Sequence, residues 1–331
     1  MQAPAPADSP KVDGMLRYAI KRLLLMIPVI IGVSFLIFFI MDLAPGDIVD
    51  VKIAEEGLTY EEIEQLREAY GLKGSVFTRY FSYMVNFVQG DLGTSNVSGR
   101  PVLDSFLEKM PATIILACAS IFVSIIISIP LGIYAAIKRG TFADNASMIL
   151  SFLGLSIPNF WLGLMLIIVV ALNVSWLPTG GFTKGIASVI LPAITVGTGL
   201  TATLARTTRS SMLDVLSQDY LRTERAKGHK EFKVITKYAL RNALIPIITI
   251  AGGQFAVTLG GAVLTETVFS WPGVGRLIVD AVNSRDVPLV VGCIILKSIT
   301  IGVVVLIVDL LYAVIDPRIK AQYAKRKRKT I

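Results

Sequence analysis

Six stretches of this chain are long and apolar enough to cross a lipid bilayer, and nothing else restricts its fold so tightly. They run over about 20–41, 113–137, 148–172, 186–205, 243–265 and 289–315. A helix needs about 20 apolar residues to span the hydrocarbon core. There, every backbone N–H and C=O must be satisfied within the chain, which leaves helices or closed barrels. These runs are near-continuous rather than alternating, so the expected class is an all-α polytopic membrane protein with six transmembrane helices. Composition agrees, with 53% hydrophobic and 17% charged residues, against about 25% charged in soluble domains. The fourth stretch, rich in Thr and Gly, carries the weakest signal. The first is too long for a signal peptide and no small-residue cleavage site follows it, so 15–41 is read as a retained first transmembrane helix. Residues 1–14, polar and rich in Pro and Ala, are expected to be a disordered leader or a remnant of expression.

The charges between the spans set an orientation. Lys11, Arg17, Lys21 and Arg22 precede the first span, Lys138 and Arg139 separate the second and third, and KRKRK lies near the end. Nine basic residues crowd between Arg206 and Arg241. On the other side, 42–112 carries twelve acidic and six basic residues, and the loop between spans three and four has Lys184 alone. The expectation is therefore cytoplasmic N and C termini, an extracytoplasmic segment at 42–112, a five-helix core at 113–315 with a cytoplasmic loop at 206–242, and a basic cytoplasmic tail at 316–331. The net charge of +8 then belongs to loops facing the cytoplasm, which argues against nucleic acid as a partner. The KRKRK run reads either as a contact with anionic membrane lipid or as a stop-transfer and orientation signal. Cys118 and Cys293 both lie in apolar runs and read as small core residues. A single histidine, His229, excludes a His-based metal site and argues against a membrane enzyme.

Two segments between spans carry helix signals. In LTYEEIEQLREAYGL, Thr59 and Glu62 form a capping-box pattern, Ile63, Leu66 and Tyr70 share a face, and Gly71 suits the terminus. This external element is either a docking surface or a cap on the bundle. In YLRTERAKGHKE, Asp219 is the expected N-cap of a helix over Tyr220–Lys227, with Gly228 as its stop. A second helix over Lys230–Arg241, with Phe232, Ile235 and Tyr238 or Ala239 on one side, should be kinked or ended by Pro246. A two-turn helix has no stability of its own in water. It must be held by its own protein or by a partner. On physical grounds alone, it is either a rigid peg for a soluble partner or a loop that only orients the chain.

RTERAKG (222–228) followed by ALRNALIP resembles the signature of ABC importer permeases, specifically the first of the paired permeases in the dipeptide, oligopeptide and nickel uptake group. The same order and spacing hold for LAPGD (43–47), GDLGTS with RPV (90–102), SIPNFWLG (156–163), ETVFSWPGVGRLIVDAVNSRDVP (266–288) and DLLYAVIDPR (309–318). The resemblance implies the type I ABC importer permease architecture. It implies a translocation pathway formed with a second permease, two ATP-binding-cassette ATPase subunits that carry the ATP and Mg, and an extracytoplasmic substrate-binding protein, in the plasma (inner) membrane of a prokaryote. It assigns ATPase coupling to Arg222, Thr223, Glu224, Arg225, Ala226, Lys227 and Gly228. Glu224 stands where the peptide group commonly has Ala. The chain has no phosphate-binding G-x-x-x-x-G-K-[ST] loop, so no ATPase site, no other catalytic site and no cofactor of its own are expected. Di- or oligopeptides lead as substrates, with nickel chelates or oligosaccharides as the alternative. A stand-alone secondary transporter is the alternative from another class, although the halves show no internal repeat.

Along the pathway, Gln254 and Thr258, with Thr265, are candidates to line a polar route. Gly252, Gly253, Gly260 and Gly261 would allow close helix contact. Asp309 reads as half of a structural pair. Lys297 lies eight residues past Leu289, about 12 Å along its helix. A charge at that depth must face protein or water. It is expected either to face the passage and meet a carboxylate, of the substrate or of Glu266, or to snorkel or form a private buried pair.

Overall fold

A computed structural model describes residues 12–44, 46–50, 53, 59–72 and 74–315 of the chain. The expectations for residues 1–11 and for the basic tail 316–331 lie outside the described residues; Val12–Gly14, assigned to the leader above, already belong to the first helix. Five helices are each long and apolar enough to cross a membrane: α1 Val12–Leu43, α4 Val102–Ile137, α7 Ile186–Leu216, α9 Glu231–Gly261 and α12 Val287–Ile315. The sixth candidate span is a bent pair of shorter helices, α5 Phe142–Ser156 and α6 Asn159–Leu166, the second continuing as a π-helical turn over Ile167–Ala171. They meet at 93°.

That bend corrects the expectation of one straight span over 148–172, and its cause is Pro158. A proline disfavours helical geometry for the residue before it, and Ile157 is extended at ψ 123°. Pro28, Pro111, Pro130, Pro192 and Pro246 all remain inside helices. Pro246 therefore does not end the helix beginning at Glu231. The same helix contains a π-helical turn at Val234–Ala239.

The fourth stretch, weakest in sequence, is the most enclosed: half of its apolar window is buried, more than in any other described span. Its Thr hydroxyls explain how. Thr195, Thr201 and Thr208 are buried and each donates to the carbonyl four residues back. These three hydroxyls carry their own partners into the bundle. Close approach runs through α4, α5 and α7. A side chain at Gly132 would collide with Thr208 and the Ala205 carbonyl, one at Gly154 with Thr198, and one at Gly197 with the Ser120 carbonyl. This is the small-residue packing of membrane helices. Of the glycines expected to allow close contact on α9, Gly253 and Gly261 have nothing within 4 Å of an added Cβ, and Gly260 meets Ile301 at 3.2 Å.

The ends of α1 and α12 are joined. Asp309 accepts from Arg22 at 2.6 Å and from the Tyr18 hydroxyl at 2.7 Å, the structural pair expected of it. Between α1 and α4 lie α2 Tyr60–Ala69 and α3 Val76–Val88. Glu62 accepts from the Thr59 backbone N–H at 2.8 Å, and Gly71 takes φ +64°, as the sequence predicts. α3 seats Tyr80 against Phe35 and Phe38 of α1. α4 already begins at Val102, so 42–112 includes the first turns of a spanning helix. Among the described residues, the one strand-like pairing sets Thr94 opposite Pro101. Cys293 is buried but Cys118 is exposed on α4, which corrects its placement in the core.

Candidate functional site

The charged stretch between α7 and α9 forms α8, Asp219–Ala226, a helix of eight residues. α7 runs on to Leu216 and α9 starts at Glu231, so the connecting segment is 217–230 rather than the whole of 206–242. Gln218, extended at ψ 143°, is the N-cap. Asp219, expected there, is the first helical residue, where its charge still meets the positive end of the helix dipole. Gly228, at φ +80°, provides the stop.

What holds so short a helix is its own chain. Leu221 has 0% exposure and packs with Ala136, Met212, Val234, Ile235, Ala239 and Ala243, drawn from α4, α7 and α9. Burying a leucine is worth about 1.5–3 kcal/mol, enough to seat two turns of helix. Phe232, expected on that same inner face, is instead exposed; the π-helical turn shifts the buried set to Val234, Ile235 and Ala239. Polar contacts add to the anchor. The Arg225 guanidinium makes a two-pronged pair with Glu231 at 3.0 and 2.9 Å, bridging across Gly228. The Asn242 amide donates to the Tyr220 hydroxyl at 2.7 Å.

Glu224 faces inward. Its side chain is 15% exposed and accepts from Lys227 at 2.6 Å, with His229 Nε2 at 3.4 Å. His229 stacks on Tyr238. The Lys227 hydrogen bond holds the Glu224 carboxyl below the ordinary glutamate range, and Glu224 in turn pushes the Lys227 ammonium up. The outward face carries Arg222, 80% exposed, together with exposed Thr223, Ala226 and Lys227. The seven residues singled out in the sequence thus divide. Glu224 braces the helix from within, and Arg225 ties it to α9. Arg222, Thr223, Ala226 and Lys227 are presented outward, and Gly228 sets the exit.

The four pathway candidates do not come together. Gln254, half-buried, donates to the Leu200 carbonyl at 3.3 Å, and buried Thr258 donates to the Gln254 carbonyl at 2.8 Å. The first bond joins α9 to α7, and the second stays within α9. Thr265 is buried as well. Glu266, on the short helix α10 Val263–Val268, is 1% exposed. Its Oε1 accepts from Thr113 at 2.9 Å and its Oε2 from the Arg276 backbone N–H at 3.0 Å. Trp271 completes the clasp by donating from its backbone N–H to the Glu266 carbonyl and from its indole to the Ala112 carbonyl. Gly273 leaves the room that Glu266 fills, since a Cβ there would lie 2.5 Å from the carboxylate oxygens. Glu266 therefore locks the turn into α11, Val274–Asn283, to α4. No sequence signal distinguished that role from a pathway one. Lys297 is half-buried on α12. Glu266 and Lys297 are not within ion-pair distance. Among the described residues, no group of three or more His, Cys, Asp or Glu gathers into a metal site.

Residues 128–321 match the pattern of the binding-protein-dependent transport system inner membrane component, and residues 15–117 match the N-terminal component of such systems. The chain belongs to this family of transport permeases. It is 42% identical to the oligopeptide transport system permease protein AppB of Bacillus subtilis, covering 92% of this chain and 100% of that one. It is 40% identical to the dipeptide transport system permease protein DppB of Escherichia coli K12, and 42% identical to that organism's glutathione transport system permease protein GsiC, each match covering 92% of this chain and 99% of the relative. In fold, it is similar to a chain of the MetNI methionine ABC transporter in an inward-facing conformation. The TM-score is 0.54 at 16% identity, over 64% of this chain and 96% of that one. The chain is thus a multi-pass ABC importer permease of the peptide group, a transport subunit of all-α architecture.

Proposed function

We propose that this permease pairs with a second permease to form the translocation pathway for di- or oligopeptides. An extracytoplasmic binding protein delivers them, and two separate ATPase subunits, carrying ATP and Mg, drive the cycle. The setting is a prokaryotic plasma membrane, with both termini and α8 on the cytoplasmic side. The observation that carries this reading is α8 itself. It is too short to stand alone, is seated by fully buried Leu221, and turns Arg222, Thr223, Ala226 and Lys227 to solvent. Such a rigid, solvent-facing helix transmits motion: displacement of its outer face drags Leu221 and the α4, α7 and α9 residues around it. The relatives named for oligopeptide, dipeptide and glutathione transport support peptides as the cargo class.

The test is reconstitution in proteoliposomes with the second permease, ATPases and binding protein encoded beside it, following a labelled tripeptide. Uptake should require ATP and all subunits. Gly228→Pro should abolish it while leaving membrane insertion normal. Uptake by the permeases without ATPase subunits would replace this reading with a secondary transporter.

A further inference from the structure

Lys297 lies ten residues beyond Val287, the start of α12, which puts it about 15 Å along the helix. The helix runs eighteen residues further to Ile315, about 27 Å. Neither end of the helix is within reach of a lysine side chain. A charge at this depth must meet a counter-charge or a water-filled space. Among the described residues, it has no hydrogen bond and no ion pair, and its nitrogen is not among the enclosed polar atoms that lack a partner.

The acids on or beside α12 are already committed. Glu266 Oε1 accepts from Thr113 and its Oε2 from the Arg276 backbone N–H. Asp286 accepts from Ser95 at 2.5 Å and from the backbone N–H groups of Asn96 and Leu289. Asp309 holds Arg22 and Tyr18, and Asp280 faces Arg276. Around Lys297, Ile294 and Ile301 pack toward α9, where Ile301 closes on Gly260. The result is one ammonium with three donors in an apolar wall, while Glu266 is oriented by other groups and lies beyond ion-pair distance. An ammonium there stabilises an anion strongly, because little water competes with it.

We infer that Lys297 binds a carboxylate in the translocation path, and that this carboxylate is the C-terminal one of a peptide in transit. The inference rests on the peptide-permease reading above. It makes Lys297 a substrate-binding residue, and it predicts that the path itself, beyond the binding protein, distinguishes free-acid peptides from neutral ones.

The complete reconstituted complex tests this with trialanine and its C-terminal amide, comparing wild type with Lys297→Met and Lys297→Arg. Each peptide is compared across variants, so the binding protein's own preference cancels. A charge-assisted hydrogen bond lost in a water-poor site corresponds to at least about tenfold. The expected result is a tenfold or greater fall in trialanine uptake for Lys297→Met, less than a twofold change for the amide, and recovery in Lys297→Arg. Subunit assembly should be unchanged on size-exclusion chromatography. Equal losses for both peptides would overturn the inference and make Lys297 a resident pair with the second permease. Unchanged trialanine uptake would overturn it too. If the wild-type complex imports neither peptide, the peptide reading itself falls, and this inference falls with it.

Discussion

Replacing Gly228 by alanine isolates the exit from α8 as a source of strain. Gly228 has φ +80°, and an added Cβ would meet no atom within 4 Å. The cost is therefore conformational alone, about 1–2 kcal/mol for an L side chain in left-handed backbone. That energy falls on a segment whose apolar anchor is Leu221. A shift of 1–2 kcal/mol changes a two-state ratio by about five- to thirtyfold. Hydrogen–deuterium exchange reads this directly: amide protection across Asp219–Ala226 should drop by that factor in Gly228→Ala, and uptake coupled to ATP hydrolysis should fall with it. Gly228→Pro should be more severe, because proline holds φ near −65°. Gly140 is a matched control. It has φ +76° and empty space where a Cβ would go, but it lies between α4 and α5. Gly140→Ala should leave α8 protection unchanged. If Gly228→Ala leaves α8 protection at the wild-type level, or Gly140→Ala lowers it equally, then strain at this exit does not govern α8.

Leu221→Ala should cost about 2–5 kcal/mol of local stability, as for other fully buried leucines. Trypsin should then cleave at Arg222 and Arg225 at concentrations that spare wild type. The Glu224 carboxyl titrates below its ordinary value because Lys227 stabilises the ionised form. Its brace is thus complete above the ordinary glutamate range and is lost only as pH falls through the depressed value. α8 protection should be flat from pH 8 to pH 5 and fall in stronger acid, whereas Glu224→Gln should remove that acid step. Asp144 is buried on α5 and takes a two-pronged pair from Arg209 at 2.6 Å. Arg209→Ala should lower stability by about 3–5 kcal/mol by stranding the carboxylate. The double variant with Asp144→Ala should recover part of this in thermal unfolding in detergent.

Much of this molecule was legible in the order of its residues. Long apolar runs admit few solutions in a bilayer, so the helices and their number follow from composition along the chain. Local signals also held: Thr59 with Glu62, Gly71, and Gly228 act over three or four residues, within which the backbone alone decides. The recurrent motifs around RTERAKG marked the family, since they need only be read in order.

Where several elements meet, the chain order was silent. Only the packed bundle set Leu221 into a pocket built by α4, α7 and α9, turned Glu224 inward, and left Arg222 outside. It bent the third crossing at Pro158 but let Pro246 pass through a helix, because whether a proline breaks a span depends on what surrounds the freed carbonyl. It also separated Glu266 from Lys297. Thr113, distant in sequence, and the Arg276 backbone close on the carboxylate and leave the ammonium without an ion pair. Apolar length is a property of one segment, and the chain order carries it. Which charge finds a partner depends on several segments at once, and only their packing decides it.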